Sequence, residues 1–141
     1  MPHRFRIILR SDTRGKITLR SQSTGALRPS GAFLSTVEGL AKCDQSLYTD
    51  TILSGASRRQ MRTPVRLADG TTCPYGFGWQ TETRKDGRQV VWHGGELPGF
   101  ADYFGRFDER LTIVLLTNGN AVDMPAVGNG LADLYLAGEG R

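Results

Sequence analysis

Apolar positions along this 141-residue chain change their period partway through. Val37, Leu40, Ala41, Leu47 and Tyr48 recur at helical spacing, and Ser35-Thr36-Val37-Glu38 in front of them reads as a capping box. The pattern predicts a helix over 35–48, weakened at Gly39 by about 1 kcal/mol relative to alanine. A second helix is predicted over 55–62, opening after Ser54 and stopping before Pro64, because the residue preceding proline disfavours helical dihedrals. Ala68-Asp69-Gly70 marks a turn. From Tyr75 the period becomes two. Tyr75, Phe77 and Trp79 alternate with Gly76, Gly78 and Gln80, which predicts a strand whose aromatic face belongs in the core. Lys85-Asp86-Gly87 supplies hairpin-turn chemistry before a second strand over Arg88 to His93. A third strand is expected from Gly99 to Phe107. Leu111 to Thr117 is continuously apolar and β-branched, as a central strand buried on both faces is. Asp123 caps a final helix over 124–137, with Pro125 in its first turn, a stripe of Val127, Leu131, Leu134 and Tyr135, and Gly138 as its stop.

These elements predict an α+β fold, an antiparallel β-sheet with flanking helices. Strands fall between about 74 and 118. Before them, residues 4 to 20 show a weak hairpin pattern: Phe5 to Leu9, a turn around Asp12-Thr13-Arg14-Gly15, then Lys16 to Leu19. Ser21 to Gly31 reads as loop. The length suits one domain able to bury its own core. Charge divides the chain more sharply than hydropathy does. Through Arg28 there are seven basic residues against the single acid Asp12, whereas the rest carries eleven basic and thirteen acidic groups. Residues 1–27 therefore read as a basic N-terminal arm or hairpin and 28–141 as the body. Such an arm reads first as a solvated face; its charge suits nucleic acid or anionic lipid, but no aromatic interleaving or recognition motif accompanies it, so nucleic acid is not the expected partner. The apolar run Ile113 to Leu116 is only four residues, so no membrane span is expected. Met1 to Arg10 has too short an apolar stretch for a signal peptide. Cys43 and Cys73 lack zinc-site spacing, and Cys43, inside the first predicted helix, is expected as a buried free thiol.

Chemistry concentrates in Val90 to Phe100, Val-Val-Trp-His-Gly-Gly-Glu-Leu-Pro-Gly-Phe. It opens as a strand, and Gly94-Gly95 predicts a bend with His93 at its rim, a place where backbone N–H groups approach a ligand. His3 and His93 are the only histidines, so no two-histidine metal site and no cofactor is expected. A Gly-x-Ser-x-Gly elbow and a phosphate-binding glycine loop are absent. Asp102 follows His93 closely enough for a Ser-His-Asp triad, but no alternation brings a serine to them.

Five segments in order carry a family resemblance over some hundred residues. They are Arg28 to Thr36, Leu40-Ala41-Lys42, Tyr75-Gly76-Phe77-Gly78-Trp79, His93 to Phe100, and Leu115-Leu116-Thr117-Asn118. From about Arg28 onward the chain resembles the C-terminal part of the serine β-lactamase and penicillin-binding-protein superfamily. The similarity is to the class C-like branch, with its D-alanyl-D-alanine carboxypeptidases and family VIII carboxylesterases. The resemblance implies that His93, Gly94 and Gly95 form the third active-site box, with Trp92 and Glu96 flanking it in the substrate-binding strand. Substrate would lie along that strand's edge, and the Glu96 N–H would be one of two oxyanion donors, such a donor contributing roughly 2.7–4 kcal/mol to the transition state. His93 would hold the substrate carboxylate or the proton-relay tyrosine without being the general base. His93, Gly95 and Glu96 are thus the candidate catalytic residues.

Departures from the family pattern are as informative. Thr13, Gly39 and Glu82 stand three places before the only lysines, Lys16, Lys42 and Lys85, so there is no Ser-x-x-Lys. No tyrosine or serine is followed two places on by asparagine. Glu96 replaces the usual glycine, serine or threonine, Gly39 a frequent aspartate, and Cys43 a frequent tryptophan. An oxyanion donor without a nucleophile stabilises a charge that never develops. The expectation is a C-terminal fragment of an acyl-transferring serine hydrolase acting on β-lactam, D-alanyl peptide or ester substrates, inactive alone. Missing neighbours in its sheet imply self-association or a complementing N-terminal half. Full-length members are often periplasmic or secreted, which leaves the location of this chain open. The alternatives are a non-catalytic binding module for D-alanyl or acyl ligands, or nucleic-acid binding by the arm.

Overall fold

The computed structural model describes residues 4–9, 34–97, 99–108, 111–119 and 121–138; residues 4–9 enter as backbone alone. The expected Lys16–Leu19 strand, the Ser21–Gly31 loop and most of the Arg28–Thr36 segment lie outside them. Ten elements follow one another: β1 (Arg4–Leu9), α1 (Val37–Ser46), α2 (Gly55–Met61), β2 (Val65–Arg66), β3 (Thr72–Cys73), β4 (Gln80–Thr83), β5 (Gln89–Leu97), β6 (Phe100–Phe107), β7 (Leu111–Thr117) and α3 (Met124–Gly138). Five strands form one sheet in the order β1-β7-β6-β5-β4, and β2-β3 make a small antiparallel pair. The α+β class and an antiparallel meander are as the pattern predicts, except that the first meander strand is Gln80–Thr83 and not the aromatic stretch from Tyr75. The first strand differs, because Arg4–Leu9 joins the main sheet and runs parallel to β7 instead of standing apart as an arm. A strand as apolar as Leu111–Thr117 has backbone groups on both sides to satisfy, and β1 and β6 supply the partners.

The two faces of the sheet are covered differently. On one face Val90, Tyr103, Phe107, Leu111, Ile113 and Leu115 pack against α3 in the main apolar cluster. Burying each of the large side chains contributes about 1.5–3 kcal/mol. The predicted α3 stripe is rotated. Met124, Gly128, Ala132 and Leu136 face the sheet, Val127, Leu131 and Tyr135 flank them, and Leu134 is 77% exposed. Two small residues at the centre let the helix axis approach until the Tyr103 ring lies where a Cβ on Gly128 would stand. Asp123 caps this helix as expected, its carboxylate accepting from the Ala126 N–H at 2.9 Å.

On the opposite face α1 lies over β7 and β1. Its N-cap is Thr36 and not Ser35: the Thr36 hydroxyl accepts from the Gly39 N–H at 3.1 Å, while Ser35 Oγ donates to the Thr36 carbonyl. The register shifts because threonine is the residue with extended dihedrals (φ −111°, ψ 167°) just before the first helical residue. Val37, Ala41 and Asp44 are the buried positions, so Cys43 turns outward and is exposed, against expectation. Asp44 meets Arg106 of β6 at 2.8 Å with both side chains almost wholly excluded from solvent, and the guanidinium stacks 4.4 Å from the centre of the Tyr48 ring. Helix α2 starts at Ser54 as predicted, the hydroxyl accepting from the Ser57 N–H at 3.1 Å.

Removing one partner of a buried ion pair strands the other charge. Asp44→Ala is expected to destabilise the chain by about 3–5 kcal/mol, read as a lower urea midpoint at unchanged slope. A second substitution, Gly128→Val, should lower the midpoint as well, by forcing α3 off Tyr103.

Candidate substrate-binding edge

The candidate residues sit on β5, which a tight hairpin and one arginine hold in place. Gly87 adopts φ +82° at the turn, and the Arg84 N–H donates to the Arg88 carbonyl at 2.9 Å. From the end of β4, Arg84 donates to Asn129 and pairs with Asp133, both on α3, and its guanidinium lies over the Phe107 ring at 5.3 Å. The hairpin is thereby tied to the helix across the sheet.

The Gly94-Gly95 bend predicted from sequence does not occur. β5 continues extended to Leu97, with Gly94 opposite Tyr103 and Gly95 opposite Asp102 on β6. Glycine is required there for approach instead of curvature: a Cβ on Gly94 would stand 2.8 Å from the Asp102 carbonyl, and one on Gly95 3.0 Å from Asp102 Oδ2. The backbone directions follow from the ladders. Asp108 N–H donates to the Gln89 carbonyl across to β6, so odd-numbered residues of β5 address β6 and even-numbered ones address β4. β4 ends with Gln80 opposite Trp92. The N–H and carbonyl groups of Gly94 and Glu96 therefore point to the β4 side beyond the last β4 residue.

Side-chain alternation separates the candidates. His93, Gly95 and Asp102 share the α1 face of the sheet, and His93 is exposed. Its ring meets Tyr75 edge-on, 6.1 Å between centroids at 67°. Phe104, directly across from His93, meets Trp79 at 5.3 Å and 75°. Trp92 does not join them. Its indole is on the α3 face, stacked on Tyr103 at 5.6 Å and 28°, because neighbouring strand positions point to opposite faces. Tyr103 is on that face too, its phenol held above the ordinary range by burial and then by the negative charge of Glu82. It is therefore no proton-relay partner for His93. The Glu96 side chain is exposed and directed by the same alternation to the α3 face.

The segment 75–79 is likewise not the aromatic strand expected. Tyr75 makes one isolated bridge to Gln80, and Gly78 takes φ +80°, which breaks the alternation. The loop is moored to the end of α2 by the Phe77 N–H donating to the Met61 carbonyl at 2.9 Å. Tyr75 then turns to His93, Trp79 to the core, and Phe77 is 62% exposed. A cleft of about 370 Å³ opens farther along this face, between Arg62, Pro74, Thr81 and Val91, and His93 does not line it.

Sequence reasoning underrated Asp102, naming it only within a triad. Its Oδ1 accepts from the Gly95 N–H at 3.1 Å. Surrounding protein raises the carboxyl above its ordinary value by desolvation, against the pull of that N–H and of nearby His93. The signal in the sequence was strand alternation, which places Asp102 with Phe104 and Arg106 on the His93 face once the β5–β6 register is known. The described serines supply no nucleophile for such a triad. Ser35, Ser46, Ser54 and Ser57 all make local bonds at the ends of α1 and α2. Among the described residues no group of three His, Cys, Asp or Glu side chains could hold a metal ion, and no helix is long and apolar enough to cross a membrane.

With this geometry in place, comparison with known proteins assigns the class. A family model described as Beta-lactamase matches residues 4–137, and the chain belongs to that family. Penicillin-binding protein 4* of Bacillus subtilis is 37% identical over 89 residues, 62% of this chain and 20% of that protein. A D-aminopeptidase of Gluconobacter oxydans is 41% identical over 61 residues, 43% of this chain and 11% of its own length. A D-aminopeptidase of Cereibacter sphaeroides is 33% identical over 102 residues, 72% of this chain and 18% of its own. The chain thus spans a fifth or less of the curated relatives it matches. The family match also begins within the stretch that charge alone had set apart as an arm. No solved structure matches.

Folding raises the Asp102 pKa, so its protonated form favours the native state. That contribution is present in acid, below the ordinary carboxylate range, and is lost as pH rises through the raised value. Asp102→Asn keeps an oxygen for Gly95 and cannot ionise. It is expected to be at least as stable as the parent at neutral pH, with the gap closing on acidification; urea midpoints across that range measure it.

Proposed function

We propose that this chain supplies the substrate-docking edge of a serine-hydrolase site of the β-lactamase family, and that these 141 residues bind acyl ligands without turning them over. One observation carries the reading. β5 runs past the end of β4 with His93-Gly94-Gly95 on the overhanging part, and its Gly94 and Glu96 backbone groups point to that side. An extended D-alanyl peptide or related acyl compound placed there would add as a strand, its chain direction set by main-chain hydrogen bonds. In this reading the Glu96 N–H is an oxyanion donor, and His93, with Tyr75 against its ring, orients the ligand. The names of the relatives, a penicillin-binding protein and D-aminopeptidases, agree with ligands of this chemistry.

The lack of turnover follows from the sequence, which holds no Ser-x-x-Lys, Tyr-x-Asn or Ser-x-Asn. Without a nucleophile and its base no tetrahedral intermediate forms for the donor to stabilise. Phe77, Leu97 and Phe100, at 62%, 39% and 44% exposure, are further support for a second protein surface near this edge, either another copy or a segment carrying the nucleophile.

Nitrocefin and p-nitrophenyl acetate are expected to show no serine-dependent hydrolysis above a His93→Ala control; turnover above that control overturns the proposal. Sedimentation is expected to show concentration-dependent association, and a sharp monomer over the whole range counts against a covering partner of the same chain.

A further inference from the structure

We propose that Asp102 selects ligands by charge at this edge, favouring an acyl ligand that presents an ammonium group over one that presents a carboxylate. The inference rests on the docking reading of β5 and deepens it. Asp102 is placed by the β5–β6 register directly across from Gly95 and on the face occupied by His93. One carboxylate oxygen is engaged by the Gly95 N–H at 3.1 Å. The other, Oδ2, lies 3.0 Å from the position a Cβ on Gly95 would take. A carboxylate oxygen thus overhangs the glycine backbone where another residue would carry its own side chain. A ligand lying along Gly94-Gly95 meets it first.

An ionised carboxylate only accepts hydrogen bonds, so its complement is a donor, and a ligand carboxylate in the same place is repelled. Two further features point the same way. Phe104 follows Asp102 on that face and Tyr75 meets His93 edge-on, so the neighbours of the carboxylate are aromatic and supply no positive charge of their own. The buried cation on the face, Arg106, pairs with Asp44 at 2.8 Å with its side chain 1% exposed, so its charge is already balanced by a carboxylate.

The test is a titration of the isotope-labelled 141-residue chain at neutral pH, following the Gly94, Gly95 and Glu96 amide resonances. D-alanine amide carries an ammonium and no carboxylate; N-acetyl-D-alanine carries the reverse. The amide is expected to bind about fivefold or more tightly than the acid, Asp102→Glu to keep that ratio, and Asp102→Asn to bring it within about twofold, as the loss of a half-exposed charge pair implies. A positioning role alone would not move the ratio, since asparagine retains an acceptor for Gly95. Equal binding, tighter binding of the acid, or a preference that survives in Asp102→Asn overturns the charge-selection proposal while leaving the docking edge intact. If neither ligand moves these amides, the docking reading fails and this inference with it.

Discussion

The pairing of β5 with β6 is the constraint on which the rest depends. Eight cross-strand pairs, from Val90 opposite Phe107 to Leu97 opposite Phe100, put Asp102 against Gly95 and Phe104 against His93. The same register decides which side of β6 meets which helix. Tyr103 and Phe107 fall to α3, Arg106 to α1. Because the side-chain period of a strand is two, a slip of one residue would send Arg106 into the apolar cluster and Phe107 toward Asp44. The register is therefore held by both layers at once. Two glycines on β5 make it possible, since any Cβ at either place would meet Asp102 of the partner strand.

Electrostatics secures the layers at two points of different character. Asp44 and Arg106 are almost fully buried, and such a pair acts more through the penalty for breaking it than through net stabilisation. Arg84 is nearer the surface and makes a network, with Asn129 and Asp133 on the helix and the Phe107 ring beneath. Arg84 lies on the α3 face, and Arg106, on the His93 face, is paired with Asp44. On the His93 face the carboxylate nearest to hand is Asp102, directly across from Gly95, whereas the Glu96 side chain belongs to the α3 face.

The chain belongs to the β-lactamase family, and its sequence holds no Ser-x-x-Lys, Tyr-x-Asn or Ser-x-Asn. That combination separates two things a family match alone would merge. Binding along β5, as proposed, would draw on backbone groups and a strand register. Acyl transfer needs a serine and its base, and the described serines are used to cap or close helices.

Much of the architecture was legible from residues alone. β7 was readable because a run such as Ile113-Val114-Leu115-Leu116 fits only a strand with both faces covered. α2 and α3 were readable from Ser54 and Asp123, whose short polar side chains satisfy first-turn N–H groups wherever they occur. The close backbone approach at Gly94-Gly95 was readable from the glycines themselves, although the bend expected with it does not form. Other features depended on contacts between distant residues. Leu134 is exposed because small Gly128 and Ala132 set the depth and rotation of α3 against Tyr103. The alternating aromatics of 75–79 form a loop because the end of α2 captures their backbone and Gly78 adopts a positive φ. Trp92 and His93 are adjacent in the chain yet serve opposite faces, and Asp102 reaches Gly95 only through the register. Local chemistry writes caps, turns and strand character into the sequence, whereas which side chains meet across a sheet is decided by packing over long separations, and at this edge the candidate site consists of such meetings.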